Sequence, residues 1–265
     1  MSSSTDWERI VLPKGPGAVN TDGLCASVNA MELTVRPGAD LFLLDHAAIR
    51  LVEKVVLHDD EAPRRALLAR GKSDPVFAAR LLTDILPNVA RRLDSGWAED
   101  RLSFVDVTIA AARVQDALRV LGRVTLPTPE ANAIALIVPS WEQHTLAAAF
   151  AAQAMRDMGA QVRIITGPTI TTIAAIVARA PVQAIMVSVS GEAALDRTPD
   201  FLTKLKKAMP LALPVVVGGA VAEEKGAARC PRGADLMTND FGEALGFCKI
   251  PLSRLSGEKA VTDAL

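Results

Sequence analysis

Five short runs in the second half of the chain are apolar almost from end to end, and segments of helix length separate them. They read AIALIVPS (133–140), QVRIIT (161–166), QAIMVSVS (183–190), PVVVGG (214–219) and ADLMTN (234–239). A strand with one wet face alternates apolar and polar residues. Strands that are apolar throughout must be covered on both faces, as in a parallel sheet flanked by helices. Residues 131–248 are therefore predicted to form a five-stranded, doubly wound α/β domain. In that architecture the ligand crevice lies at the carboxyl ends of the strands, beside the switch in strand order. The search for function narrows to four loops: SWEQHT, TGPT, SVSGEA and GGAVAEE.

The first half has a different texture. Residues 1–59 carry Ser, Gly and Pro clusters (SSST, PKGPG, RPGAD) around LFLLDHAAIRLVEKVVL, which predicts an extension with one or two helices near residues 40–57. Residues 60–123 hold APRRALLARG, DPVFAARLLTDILPNVARRLDSG and EDRLSFVDVTIAAARVQDALRVLG, each with apolar positions at helical spacing. They are read as a small helical bundle. Asp74 and Pro75 form an N-cap and first-turn pair, and Gly96 and Gly122 stand where helices would stop. Pro87 removes a backbone donor and should kink the second helix or split it. A Pro-containing linker, 124–130, leads to the α/β domain, and residues 249–265 form a tail.

Composition excludes several classes. Lys and Arg number 29 against 30 Asp and Glu, so there is no global basic field to hold a phosphate backbone, and direct sequence-specific DNA binding is not expected. No window reaches the roughly 18 consecutive apolar residues of a membrane span, and MSSSTDWERI lacks the pattern of a secretory signal, so a cytoplasmic protein is expected. Cys25, Cys230 and Cys248 form no CxxC pair, which argues against a disulfide framework or a zinc site. With no tyrosine there is no base-stacking platform, and Trp97 and Trp141 stand out.

The chemistry-bearing residues sit at the strand ends. The first loop supplies Glu142 and His144. Imidazole is a common metal ligand, and its geometry is fixed when its other ring nitrogen donates to a carboxylate such as Glu142. The third loop supplies Ser188 and Ser190, whose hydroxyls suit polar parts of a ligand. At the fourth, neither Gly218 nor Gly219 has a Cβ to exclude a bulky ligand. A lone strand-end histidine is often only a helix cap, and a GG pair only a turn. After the first loop, Leu146, Phe150 and Met158 fall on a four-residue spacing that suits helix packing on the sheet.

In order and spacing these residues resemble the cobalamin-binding domain that takes up B12 base-off, a flavodoxin-like (Rossmann-like) fold with DxHxxG after the first strand, SxL or SxT after the third and GG after the fourth. Here the sites read Glu142-Gln-His144-Thr145-Leu-Ala147, Ser188-Val189-Ser190 and Gly218-Gly219, with GADLMTND, including Thr238, at the last strand. The resemblance covers 131–248. It implies that His144 coordinates cobalt from below and that the displaced tail runs along Ser188, Ser190, Gly218 and Gly219. Methyl-carrying and CarH-type modules place a helical cap before this domain. In the light sensors that cap carries a tryptophan followed by Glu-His, where this chain has Trp97 but Val107 and Thr108. Trp97 either shields the corrin's upper face or packs the helix hairpin. His46 and His58 are the only other imidazoles available as an upper ligand.

Three departures refine the resemblance. Glu142 replaces Asp, and its extra methylene is expected to loosen the contact with His144, leaving it water-mediated or lost. Ala147 replaces glycine and crowds the site. HTLAAA replaces the HDIGKN of methyl carriers. An ExH loop continuing HTL, a short helical cap and no helix-turn-helix together resemble the AerR/PpaA antirepressors. That resemblance implies a light-responsive, non-enzymatic regulator that loads cobalamin and binds a CrtJ/PpsR-type repressor of photosystem genes. The alternatives are a heme-binding redox sensor on the same fold, for which His144 is equally an axial ligand, and a corrinoid methyl carrier.

Overall fold

A computed structural model of the chain describes residues 20–31, 41–122, 133–142, 144–225 and 230–251; for 41–45 and 223–225 the backbone alone is described. Contacts divide the chain into two units, Met1–Gly122 and Arg123–Leu265.

The first unit is helical: α1 (Thr21–Ala30), α2 (Leu41–Leu57), α3 (Ala62–Ser73), α4 (Pro75–Arg80), α5 (Leu86–Ala98) and α6 (Phe104–Leu121). The sequence reading places no helix at 21–30, because only Leu24 and Val28 there are both apolar at helical spacing and buried. Asn20 starts that helix by accepting from the Asp22 N–H, and α1 packs on α3. Helix α2 packs on α5 and α6, so the stretch read as an extension contributes helices to this unit. Between α2 and α5 the guanidinium of Arg92 meets the buried Glu53 carboxylate at 2.7 Å. As expected, Asp74 caps α4 by accepting from the Phe77 N–H, with Pro75 in the first turn.

Pro87 divides its helix. A π turn, Leu81–Ile85, separates α4 from α5, and the Leu86 N–H reaches back five residues to the Leu81 carbonyl. Proline lacks an N–H and its ring crowds the carbonyl four residues earlier, and the wider turn relieves that crowding. Gly96 does not end α5, which continues to Ala98. Leu102 folds back onto it, and a Cβ there would lie 2.7 Å from Leu102 Cδ1, so that side chain would have to shift. Gly122 does sit at the end of α6. That helix starts with a reciprocal Ser103–Asp106 capping box.

The second unit is the five-stranded parallel sheet that the apolar runs predict. Its strands are β1 (Ala133–Val138), β2 (Gln161–Thr166), β3 (Val182–Ser188), β4 (Val215–Gly218) and β5 (Leu236–Met237), in the order β2-β1-β3-β4-β5. The intervening helices are α7 (Thr145–Asp157), α8 (Ile170–Arg179), α9 (Glu192–Ala208), α10 (Ala220–Lys225) and α11 (Phe241–Phe247). Side chains alternate faces along a strand. Ile134, Leu136 and Val138 of β1 join a core with α7 and α11. Ala135 and Ile137 join another with α8 and α9. Each face of the central strands is thus roofed by helices, which is why β1 and β3 carry no polar alternation.

Helix α7 buries a different face from the one expected. Ala148, Ala152 and Met155 are buried, whereas Leu146, Phe150 and Met158 are only partly covered. Small alanines let the helix approach the sheet closely, and the larger residues flank that seam. The order reverses between β1 and β3: from β1 the chain crosses to β2 on one side and later returns to β3 on the other. The crevice of a doubly wound sheet opens at that switch point. The loops after β1 and β3 meet there.

Candidate functional site

The loop after β1 turns at once, with the Pro139 carbonyl accepting the Glu142 N–H at 2.9 Å. This turn draws Glu142 inward until its side chain is 1% exposed, while the side chain of His144 stays 54% exposed. A buried carboxylate requires donors, and Glu142 has them on both oxygens. Oε1 accepts from the His144 N–H at 2.8 Å and from the Ser190 hydroxyl at 2.7 Å, and lies 3.0 Å from His144 Nδ1. Oε2 accepts from the Ser190 N–H at 2.8 Å. Ser190 Oγ is itself 2.7 Å from His144 Nδ1. Burial pushes the Glu142 carboxyl up, but the Ser190 hydroxyl, the His144 and Ser190 N–H groups and the His144 ring outweigh it. The carboxyl lies below its ordinary value and is charged at neutral pH.

These contacts assign the histidine tautomer. A ring nitrogen 3.0 Å from a carboxylate oxygen must bring a proton, because two lone pairs would repel. Nδ1 therefore carries the hydrogen, shared between Glu142 Oε1 and Ser190 Oγ, and in the neutral ring Nε2 keeps its lone pair. Among the described residues nothing hydrogen-bonds Nε2. His144 precedes α7 but makes no side-chain capping bond, so helix capping does not account for it. The direct contact also corrects the expectation that the longer Glu142 would lose His144 or reach it through water. The extra methylene lets one carboxylate span His144 and Ser190 together.

The remaining predicted residues have distinct surroundings. Ser188, at the end of β3, is 8% exposed. Val189 is fully buried in the core beside α9. The protein's own backbone requires glycine at Gly219 and presses closely on Gly218. Gly219 has φ +122°, and a Cβ on it would lie 2.2 Å from the Val189 carbonyl oxygen; one on Gly218 would lie 3.0 Å from the Thr238 carbonyl oxygen. Asn239, which sequence reasoning missed, accepts the Gly219 N–H at 2.7 Å. Its signal was only its place in the MTND loop. Thr238 donates to Glu243 and accepts the Asp240 N–H, ordering the start of α11. Thr145 opens α7, and Ala147 is exposed on it.

Trp97, 49% exposed near the end of α5, belongs to the helical unit, as do His46 within α2 and His58 after it. The His58 ring accepts the Asp60 N–H at 3.1 Å. Trp141 lies in the β1 loop beside Glu142, its ring edge-on to Phe201. Among the described residues no three His, Cys, Asp or Glu side chains gather to hold a metal ion. A metal at His144 would thus have a single protein ligand, which fits a metal whose other positions are filled by a macrocycle. The Nε2 lone pair and its anchored partner nitrogen fit such a group. Among the described residues no helix is long and apolar enough to cross a membrane.

No family model matches the chain. Over 167 residues, 61% of this chain and 86% of the relative, it is 32% identical to a Rhodobacter capsulatus protein described as an uncharacterized 20.5 kDa protein in the bchF-crtJ intergenic region. Among solved structures the fold is similar to the monomethylamine corrinoid protein of Methanosarcina barkeri. That likeness has a TM-score of 0.54 and 15% identity, and covers 77% of this chain and 97% of that one. The second unit thus has the Rossmann-like fold of corrinoid-binding proteins.

Proposed function

The chain belongs to the family of the Rhodobacter capsulatus bchF-crtJ intergenic-region protein, and from that kinship we propose that it binds cobalamin through His144 and acts as a light-responsive antirepressor. The observation that carries the binding reading is the Glu142–His144–Ser190 cluster, which holds a histidine with its outer nitrogen bare at the switch point of a corrinoid-type fold. The regulatory reading is supported by the AerR/PpaA resemblance and by the relative's place beside crtJ. A repressor of the CrtJ/PpsR type is the partner it implies.

Bound cobalamin would supply a visible chromophore and a cobalt–carbon bond that light cleaves. Glu142 holds the proton on Nδ1 and so keeps the Nε2 lone pair available. Ser190 donates to that carboxylate and keeps it charged when solvent is excluded. Ser188 offers a hydroxyl to the ligand's lower side. Trp97 is the residue of the helical unit assigned to the upper face, on the resemblance alone. A light signal shifts a conformational equilibrium only through contacts that differ between the two states.

The test is the absorption spectrum of the full-length protein, loaded in the dark and then illuminated. Corrin bands that change on illumination are expected, and His144→Ala should abolish the histidine-ligated spectrum with the fold intact. An unaltered spectrum in that variant, or a Soret band in the wild type, overturns the reading. Release of a CrtJ/PpsR-type repressor from its DNA by the loaded protein tests the regulatory half.

A further inference from the structure

The α/β unit carries an apolar groove at the end of its sheet opposite the strand-end crevice. About 330 Å³ in volume, it lies at the amino ends of β4 and β5, between the last turn of α9 and the loop that leads into β4. Met209, Leu211, Leu213 and Pro214 line it, with Lys206 and Asp235 at its side. Leu211 is 58% exposed, a large apolar side chain left in water. The two charged groups answer each other. Lys206 Nζ lies 2.7 Å from Asp235 Oδ1, and Asp235 Oδ2 accepts the Val215 N–H at 2.8 Å. What the groove offers is chiefly apolar surface, which aliphatic side chains cover favourably.

The last described residues run close to it. Gln183, near the start of β3, donates from Nε2 to the Cys248 and Lys249 carbonyls, each at 3.4 Å, and Ile250 is buried. Strand β3 pairs with β4 in parallel, Ile185 beside Val215, so Gln183 and Leu213 stand at the same level of adjacent strands. Neighbouring strands lie about 4.8 Å apart, and each extended residue spans about 3.3 Å. A few residues therefore carry the chain from Ile250 to the groove. Residues 252–265, LSRLSGEKAVTDAL, follow outside the described residues, with Leu252 and Leu255 first and the carboxylate of Glu258 after them. We propose that this segment is the occupant of the groove, seating Leu252 and Leu255 on Leu211 and Leu213. Its Glu258 then answers Lys207 in the last turn of α9. The inference is independent of what the strand-end crevice binds, because the groove lies at the other end of the strands.

The full chain is treated briefly with trypsin, and cleavage after Lys259 is followed by mass spectrometry. Leu211→Glu puts a charge into the groove, and Leu255→Ser removes an anchor of the segment without touching the bond that is read. Each should speed this cleavage at least about tenfold, because the released population rises when the burial of a leucine is lost. The two together should add little to either alone, since they break one interaction. Unchanged circular dichroism shows that both variants are folded. Wild-type cleavage as fast as in the variants would mean that the groove does not hold the segment. Acceleration by one substitution alone would mean that segment and groove do not meet. Protection that grows with protein concentration would assign the groove to the segment of a second copy. Each of these results overturns the proposal.

Discussion

Glu142 shows how one methylene alters a site. Its carboxylate reaches His144 and, 48 residues later in the chain, Ser190. Glu142→Asp should keep one of these partners and lose the other, and Glu142→Gln should turn an amide donor against an N–H that now finds an acceptor. The Gln variant is expected to lose about 2 kcal/mol of stability in urea unfolding, because at least one buried donor is left unpaired. Its cobalamin affinity should fall about 10- to 100-fold, the usual cost of removing the group that orients a metal-ligating histidine. His144→Ala should differ in kind. Its ring is half exposed, so stability should change by less than about 1 kcal/mol, while the histidine-ligated spectrum disappears.

Among the elements, the turn after β4 tolerates substitution least. Gly219→Ala adds a Cβ at positive φ within 2.2 Å of the Val189 carbonyl; strain and overlap together should cost about 3 kcal/mol or more. Gly218→Ala, with its nearest contact at 3.0 Å, should cost about 1 kcal/mol. Comparing the two by chemical denaturation separates backbone demand from ligand access, because a ligand-access role would leave the stability of both variants intact. The end of α11 carries a pH dependence. Burial, with a smaller contribution from the Asp235 charge, pushes the Cys248 thiol up to about 11. A thiol whose folded pKa is raised contributes stability below its unfolded value, near 8.5. That contribution is lost as pH rises toward about 11. Cys248→Ala should therefore lose less stability than the wild type across this alkaline window in parallel urea titrations.

For the molecule as a whole, a ligand that binds only the folded α/β unit should stabilise it. At a free concentration a hundred times the dissociation constant the gain is about 2.7 kcal/mol. Thermal unfolding of the full-length protein with and without hydroxocobalamin should show that shift in the wild type and not in His144→Ala. The helical unit leaves Phe104, Val105 and Ile109 of α6 exposed together with Trp97.

The sequence by itself determined the strands and the loops. Continuous apolar runs require two covered faces, and that condition located all five strands, the parallel sheet and the loops that carry Glu142, His144, Ser188, Ser190 and the glycine pair. It also announced the interruption at Pro87, since a missing N–H is a property of one residue. Periodicity and capping are written in neighbouring positions, so a linear reading can recover them. Only the tertiary structure decided which of these residues touch. It brought Ser190 onto Glu142 across 48 positions, gave the glycine pair a backbone reason in Val189 and Thr238, moved the buried seam of α7 to its alanines and left the Trp141 N–H without a partner among the described residues. Such pairings depend on how two loops converge at the end of a twisted sheet, and a linear pattern of residue types does not encode that convergence.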